Sequence, residues 1–115
     1  SDVFKNNSSS FLGSGVVFNK FTGSRGKSGS NDANAEYLAV LRNIMDNHNV
    51  HFQMSELGKV DAGGGGTIAY IMSLYGMEVI DCGVAVLNMH APWEVTSKAD
   101  IYETYKCYKA FLKNA

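Results

Sequence analysis

The sequence has little of what marks several specialised protein classes. Its 115 residues include only two cysteines and one proline, and no apolar run approaches the roughly 18 residues of a membrane span. Ten Lys and Arg against eleven Asp and Glu leave a net charge of −1, which gives no electrostatic reason to expect a nucleic-acid or membrane-surface partner. The first residues show no signal-peptide pattern. We therefore predict free thiols at Cys82 and Cys107 and a cytoplasmic location.

The first half of the chain alternates between strand and helix patterns. Residues 15–21 are rich in β-branched and aromatic side chains, as in a strand. Asn31 and Asp32 offer caps for a helix that ends near 47–49. Residues 50–54 alternate between apolar and polar side chains, which predicts a half-buried strand.

The second half continues the alternation. Residues 68–75 predict a short buried helix that Gly76 closes in a left-handed conformation. The apolar run 79–87 predicts a central strand covered on both faces. A terminal helix follows, with its apolar face at Ile101, Tyr105, Tyr108 and Leu112. Together these elements predict an α/β fold, a sheet covered by helices.

Two glycine-rich loops interrupt these elements. The Gly-Lys-Ser at 26–28 is typical of a phosphate loop, but that motif needs a glycine where the chain has Phe21, so the interpretation fails. The loop is then a basic surface loop or one that contacts substrate or another subunit. Gly63–Gly66 fit no dinucleotide motif, since the third glycine would fall at Ile68. Their amides either face a substrate carbonyl or carboxylate, or form a tight connection without a ligand.

The three histidines differ in their predicted surroundings. His48 and His51 lie at predicted element ends and are expected to be solvated. His90 follows the apolar run, at the sheet edge where ligands of open α/β sheets gather, and a neutral imidazole there can bind zinc. One histidine does not make a site that needs about four donors. An ordinary loop histidine therefore remains the alternative.

Several motifs, read in order, resemble the aspartyl aminopeptidase/aminopeptidase I family of dinuclear zinc exopeptidases. The resemblance covers essentially the whole chain, and the order of the motifs makes it more specific than any one glycine cluster. The similar segments are 20–27 and 31–36 in a bacterial branch, the glycine-rich segment 59–69, the strand 76–84, the closing Met-His motif 87–94 and the last helix 98–111.

The resemblance implies a chemistry and a set of site residues. Such enzymes have a phosphorylase/hydrolase-like catalytic domain and remove N-terminal residues from peptides, in some branches acidic ones. They use two metal ions, usually zinc, to activate a water. By this resemblance His90 is the last metal ligand, and the substrate contacts are Gly64, Gly65, Gly66, Thr67 and, in a specificity pocket, Lys20.

The resemblance also implies that much is missing. The family's other metal ligands and its glutamate base precede the matching segment, so residues 1–115 are expected to be the C-terminal segment of a catalytic domain. Its N-terminal half and a dimerisation domain lie outside the sequence. We expect the isolated chain to be inactive and poorly soluble. Its expected partners are peptide substrates, the missing N-terminal part and further copies in a homo-oligomer.

Two alternatives from other classes stay open. One is a non-catalytic interaction or oligomerisation module that keeps the fold of the family. The other is a nucleotide-binding protein, which depends on the defective Gly-Lys-Ser loop at 26–28.

Overall fold

A mixed four-stranded sheet with two long helices packed on one face forms the body of the chain. The computed structural model describes residues 9–23, 30–57 and 68–114. In chain order the elements are β1 (Val16–Thr22), β2 (Asn31–Asp32), α1 (Ala35–Asn47), β3 (Phe52–Leu57), α2 (Ala69–Ser73), β4 (Asp81–Gly83), β5 (Val86–Leu87), β6 (Val95–Thr96) and α3 (Lys98–Asn114). This architecture confirms the α/β prediction.

Strand β1 is the centre of the sheet. It pairs in parallel with β3 along one side, from Val16 opposite Phe52 to Thr22 opposite Leu57. Its other side pairs antiparallel with β4 and β2 in turn. Strands β5 and β6 form a separate two-stranded hairpin.

The core lies between one face of this sheet and the helices α1 and α3. Alternate residues of β1, Val16 and Phe18, point to the same side, as the two-residue period of a strand requires. They pack with Met45 of α1 and with Cys107 and Ala110 of α3. The buried stripe on each helix thus fixes which side of that helix faces the sheet.

The predicted start of the first long helix was wrong by a few residues. Asn31 and Asp32 form strand β2, where the side-chain amide of Asn31 donates to the backbone carbonyl of Val79 at 2.9 Å. The cap is Asn34, whose Oδ1 accepts from the backbone N–H of Tyr37 at 2.7 Å. Several Asx residues precede this helix, and only their tertiary partners decide which one caps it. The predicted end is confirmed, since the helix stops at Asn47.

The prediction of one central strand over 79–87 was also wrong. The run divides into β4, an edge pairing on β1, and β5 in the hairpin. The carbonyl of Ala85, between them, accepts from the hydroxyl of Thr96 at 2.9 Å. A continuous apolar run has no periodicity that would distinguish one long strand from two short ones.

The short helix before it is present but not buried. Gly76 has the predicted left-handed backbone, with φ of 76°. Of the apolar residues in 68–75, however, only Ala69 is buried, and Leu74 and Tyr75 are each 79% exposed. The preceding glycine-rich segment, 58–67, lies outside the described residues, as does 24–29 in the other predicted loop.

The terminal helix is buried on a different face from the predicted one. Ile101, Tyr105, Tyr108 and Leu112 are exposed. The buried stripe consists of Asp100, Thr104, Cys107 and Ala110. Both sets of residues have helical spacing. The set with Asp100 and Thr104 can be buried because its polar groups are paired: the hydroxyl of Thr104 donates to the carbonyl of Asp100 at 2.8 Å.

The carboxylate of Asp100 joins this helix to the start of the sheet. It is 1% exposed and accepts from the backbone N–H of Gly13 at 2.8 Å and of Gly15 at 3.0 Å. Its place in the first turn of α3 suits a negative charge, because the helix dipole is positive there. Asp100 thus satisfies two backbone donors just before β1.

Gly15 allows the closest approach in the same region. Its φ is 91°, and a Cβ atom at this position would clash with the carbonyl oxygen of His51. That carbonyl accepts from the N–H of Val16 at 3.0 Å, so it cannot move away without loss of the bond that starts the β1–β3 pairing. Gly13 has a similar φ of 82° but open space around its missing Cβ.

We predict that Asp100→Asn lowers the free energy of unfolding by roughly 2–4 kcal/mol, since an amide presents an N–H group to one of two buried backbone donors. Urea unfolding of the variant measures this change. The control is Asp46→Asn at an exposed position of α1. Equal stability of the two variants would contradict the role given to Asp100.

We also predict that Gly15→Ala is more destabilising than Gly13→Ala. Both variants put an alanine in the left-handed region, at a cost of about 1–2 kcal/mol each. Only Gly15→Ala adds the clash with His51, worth roughly 1–3 kcal/mol more. The same unfolding measurement compares them, and a difference near zero would show that the loop relaxes freely.

Candidate functional site

The hairpin of β5 and β6 carries the predicted metal ligand. Val86 lies opposite Thr96 and Leu87 opposite Val95, which leaves 88–94 as the connecting loop. The loop turns back at once, as the N–H of Ala91 donates to the carbonyl of Asn88 at 3.0 Å. His90 is therefore presented at the tip of a short two-stranded ribbon.

The backbone at His90 is unusual for a residue with a side chain. Its φ is 68°, and that of Asn88 is 58°. The N–H of His90 donates to the carboxylate of Glu94 across the loop, which helps to hold this conformation. Non-glycine residues in the left-handed region are uncommon, and Asn and His are among those that adopt it most often. His90 itself is exposed, so its ring is open to a ligand from outside the hairpin.

The hairpin supplies one metal donor of the right type and not a complete site. A neutral imidazole is a common zinc ligand. Within residues 9–23, 30–57 and 68–114, no group of three or more His, Cys, Asp and Glu side chains could hold a metal ion. The remaining donors of a four-coordinate site would have to come from elsewhere.

The topology corrects the reason for placing a ligand at His90. The rule for open α/β sheets concerns the carboxyl ends of parallel strands. Strand β4 runs antiparallel to β1, with Gly83 opposite Val17, so the chain leaves the sheet at the amino end of β1. After the hairpin it returns to that same end, where Asp100 binds Gly13 and Gly15.

Lys20 lies near the other end of β1. Its carbonyl accepts from the N–H of Ala33 at 2.9 Å, and its ammonium group pairs with the carboxylate of Asp32 on β2. The side chains are 40% exposed at Lys20 and 61% exposed at Asp32, so solvent screens the pair and it contributes little to stability. The sheet therefore does not bring Lys20 together with the strand exit that leads to His90.

The glycine-rich residues Gly64, Gly65, Gly66 and Thr67 lie outside the described residues. The strand that precedes them, β3, runs parallel to β1, with Leu57 opposite Thr22. Strand β3 thus ends at the side of the sheet that carries Lys20.

The other two histidines have structural surroundings. His48 and His51 are both exposed, as predicted. The ring of His48 makes contacts at 2.9 Å with the carbonyl of Ile44 and at 3.2 Å with the amide nitrogen of Asn114. It therefore connects the ends of α1 and α3.

Asp81 begins β4 and is half-buried beside Asn19 of β1. Burial raises the pKa of its carboxyl group, while a hydrogen bond from the Asn19 side chain opposes that rise. Asp81 thus lies at a strand boundary and is a hydrogen-bonded carboxylate.

A second cluster, which no sequence pattern predicts, forms around two thiols. Cys82 of β4 packs against the core cluster that contains Cys107 of α3, and the thiol of Cys82 donates to the hydroxyl of Tyr108 at 4.0 Å. These groups line a pocket of about 270 Å³ together with Phe18, Tyr37 and Met45. Both cysteines are free. A short edge strand and a helix bring them together, and no sequence spacing encodes that contact.

The cluster separates the acidities of its members. Hydrogen bonding of Cys82 with Cys107, and to a lesser extent with Tyr108, lowers the pKa of Cys82 to about 7 against the opposing effects of burial and Asp81. The same hydrogen bond, together with burial, raises the pKa of Cys107. Burial and the nearby sulfur of Cys82 raise the pKa of Tyr108 to about 12. Cys82 is thus the group that ionises first.

Comparison with known proteins identifies the family. A family model described as aminopeptidase I zinc metalloprotease (M18) matches residues 1–112. The chain belongs to the M18 family. It is 66% identical over 113 residues to the probable M18 family aminopeptidase 1 of Clostridium acetobutylicum. The matched region covers 98% of this chain and 24% of that protein.

Solved structures of M18 proteins have the same fold. The crystal structure of aminopeptidase I from Clostridium acetobutylicum matches 96% of this chain with a TM-score of 0.86 and 67% identity. That of an M18 aminopeptidase from Thermotoga maritima matches 99% with a TM-score of 0.89 and 46% identity. This M18 chain spans about a quarter of the length of each of these proteins. The predicted fold and family are confirmed.

Proposed function

We propose that this chain is the C-terminal segment of the catalytic domain of a zinc aminopeptidase that removes N-terminal residues from peptides. The observation that carries the proposal is the M18 match over residues 1–112, which includes the Met-His motif at the tip of the hairpin. The relatives it matches are named as aminopeptidases. By itself the chain is not an enzyme in this proposal, because its described residues offer no complete metal site.

His90 would be the chain's own metal ligand. Its imidazole is exposed, and the bond from its N–H to Glu94 holds the backbone that presents it. The other ligands, for two zinc ions in the active protein, and the general base would come from the N-terminal part of the catalytic domain. Zinc, when bound, supplies a Lewis acid that polarises a carbonyl and makes a water more acidic.

The substrate contacts would lie at the other end of β1. Gly64, Gly65, Gly66 and Thr67 are proposed to approach the peptide backbone, since glycines leave amides accessible. Lys20 is proposed to bind an acidic side chain of the substrate in exchange for Asp32. The β1–β3 pairing supports a common site for these residues, because β3 ends at Leu57, opposite Thr22 and near Lys20.

The exposed apolar residues support a larger assembly around this chain. Trp93 on the hairpin loop is 83% exposed, and Leu112 on α3 is 79% exposed. Monomeric proteins seldom expose large apolar patches, which mark interfaces. We propose that the N-terminal part of the catalytic domain covers some of them and that copies of the whole protein form a homo-oligomer.

The cellular location remains a prediction. Among the described residues, no helix is both long and apolar enough to cross a bilayer. A cytoplasmic location rests on the composition of the chain and its two free thiols.

We predict that His90→Ala in the native protein lowers the zinc content per chain and reduces aminopeptidase activity by about 100-fold or more. Loss of groups that only support a ligand already costs about 10–100-fold. Elemental analysis and hydrolysis of a dipeptide measure the two effects. His51→Ala is the control, since His51 is also exposed and its contact with Glu103 comes from its backbone N–H.

Two outcomes would contradict this proposal in different ways. Full zinc content and activity in His90→Ala would remove His90 from the site and leave the family assignment intact. A native protein that assembles but hydrolyses no peptide would favour the alternative, a non-catalytic oligomerisation module.

We further predict that Lys20→Met raises KM for peptides with an acidic N-terminal residue by roughly tenfold, which is the effect of one lost charge-assisted hydrogen bond. KM for peptides with an apolar N-terminal residue should change little. The control is Lys109→Met at an exposed position of α3. An equal rise for both peptide classes would show that Lys20 does not set specificity.

A further inference from the structure

The two thiols face each other across the boundary between the sheet and α3. Cys82 is half-buried on the edge strand β4, and Cys107 is 2% exposed in the buried stripe of α3. Cys82 packs against the core cluster that contains Cys107, and both thiols line the same pocket.

The surroundings of the pair favour attack by Cys82. Once Cys82 ionises, the thiol of Cys107 and the hydroxyl of Tyr108 can both donate to the sulfur. The other titratable groups that face the cluster are Asp81, which opposes a negative charge, and Tyr37. A lowered pKa gives Cys82 the thiolate character that reactive cysteines share.

The pocket gives a small oxidant a route to this sulfur. Its volume of about 270 Å³ is several times that of a water molecule, and Tyr108 at its rim is 47% exposed. The remaining lining is apolar, with Phe18, Met45 and Phe111. Hydrogen peroxide is small enough for this space.

We propose that Cys82 and Cys107 form a peroxide-reactive dithiol that closes to an intramolecular disulfide between β4 and α3. The proposal assigns a modification site to the chain and is independent of zinc and of peptide hydrolysis. Hydrogen peroxide is the oxidant, and a small thiol restores the pair.

The chemistry takes place in two steps. The Cys82 thiolate attacks one peroxide oxygen, the O–O bond breaks, and hydroxide leaves as Cys82 becomes a sulfenic acid. The sulfur of Cys107 then attacks the sulfur of Cys82, the S–O bond breaks, and the departing hydroxide takes the Cys107 proton as water. Overall the two sulfurs lose two electrons and the peroxide is reduced to two waters.

Closure would also constrain the hairpin. The segment between the two cysteines, 83–106, contains β5, β6 and the His90 loop. A disulfide at 82 and 107 closes that segment into a loop and reduces the freedom of its unfolded state. The oxidised form should therefore resist protease cleavage within 88–94 better than the reduced form.

The experiment treats the reduced native protein with a small excess of hydrogen peroxide, blocks remaining thiols with iodoacetamide and maps the peptides by mass spectrometry. The expected product is one cross-linked peptide pair that contains Cys82 and Cys107, is lighter by two hydrogens and is separated by dithiothreitol. In Cys107→Ser the first step should stop at a sulfenic acid on Cys82, which dimedone traps. In Cys82→Ser neither product should form.

A second measurement needs no cysteine substitution. In the wild-type protein, the alkylation rate of Cys82 by iodoacetamide should rise with pH to half its maximum near pH 7, because only the thiolate reacts. Cys107 should react far more slowly, and Tyr108→Phe should shift the midpoint for Cys82 to higher pH. Failure of peroxide to form the cross-link, or equal alkylation of both cysteines, would overturn the proposal. Neither result would bear on zinc binding or peptidase activity.

Discussion

The carboxylate of Asp100 accepts hydrogen bonds from the amides of Gly13 and Gly15, and much of the remaining structure depends on these two bonds. They fix the chain just before β1 against the first turn of α3. Because β1 is the centre of the sheet, its start sets the register with β3, in which Val16 lies opposite Phe52. The buried stripe of α3, from Asp100 to Ala110, then follows from where that helix begins.

Further polar contacts support the same junction. The side chain of Gln53 on β3 bonds both the N–H and the carbonyl of Phe11, at 2.9 and 2.8 Å. Glu103 of α3 accepts from the N–H of His51, and Lys106 donates to the carbonyl of Asn49, each at 2.9 Å. In the described part of the chain, no buried side-chain nitrogen or oxygen lacks a partner. The hairpin that carries His90 thus adjoins a part of the chain in which β3 and α3 are held by hydrogen bonds, although the tip of the hairpin is exposed.

The fold and the candidate site differ in how far the sequence could predict them. The strand at β1, the helix end at Asn47 and the left-handed Gly76 follow from local patterns of side-chain type, and the structure confirms them. Motif order also predicted the family, which the match over residues 1–112 confirms. The buried face of α3 could not be predicted in this way, because hydrophobicity favours Ile101 and Tyr105 over Asp100 and Thr104. The burial of Asp100 depends on partners remote in sequence, such as Gly13. The burial of Thr104 depends on a side-chain bond within the helix.

By itself the sequence determined the class of fold and the family, and the resemblance to that family makes His90 the proposed zinc ligand. These depend on the types of residue and on their order along the chain, which can be read without any contact between distant segments. Only the tertiary structure decided that β4 is a short antiparallel edge strand. It also decided that the chain runs from the amino end of β1 toward the His90 hairpin, while Lys20 lies toward the other end of β1. It also placed Cys82 and Cys107 in the lining of one pocket. Strand direction and contacts between distant segments arise from the joint packing of β1, β3 and the two helices, and no single segment contains that information.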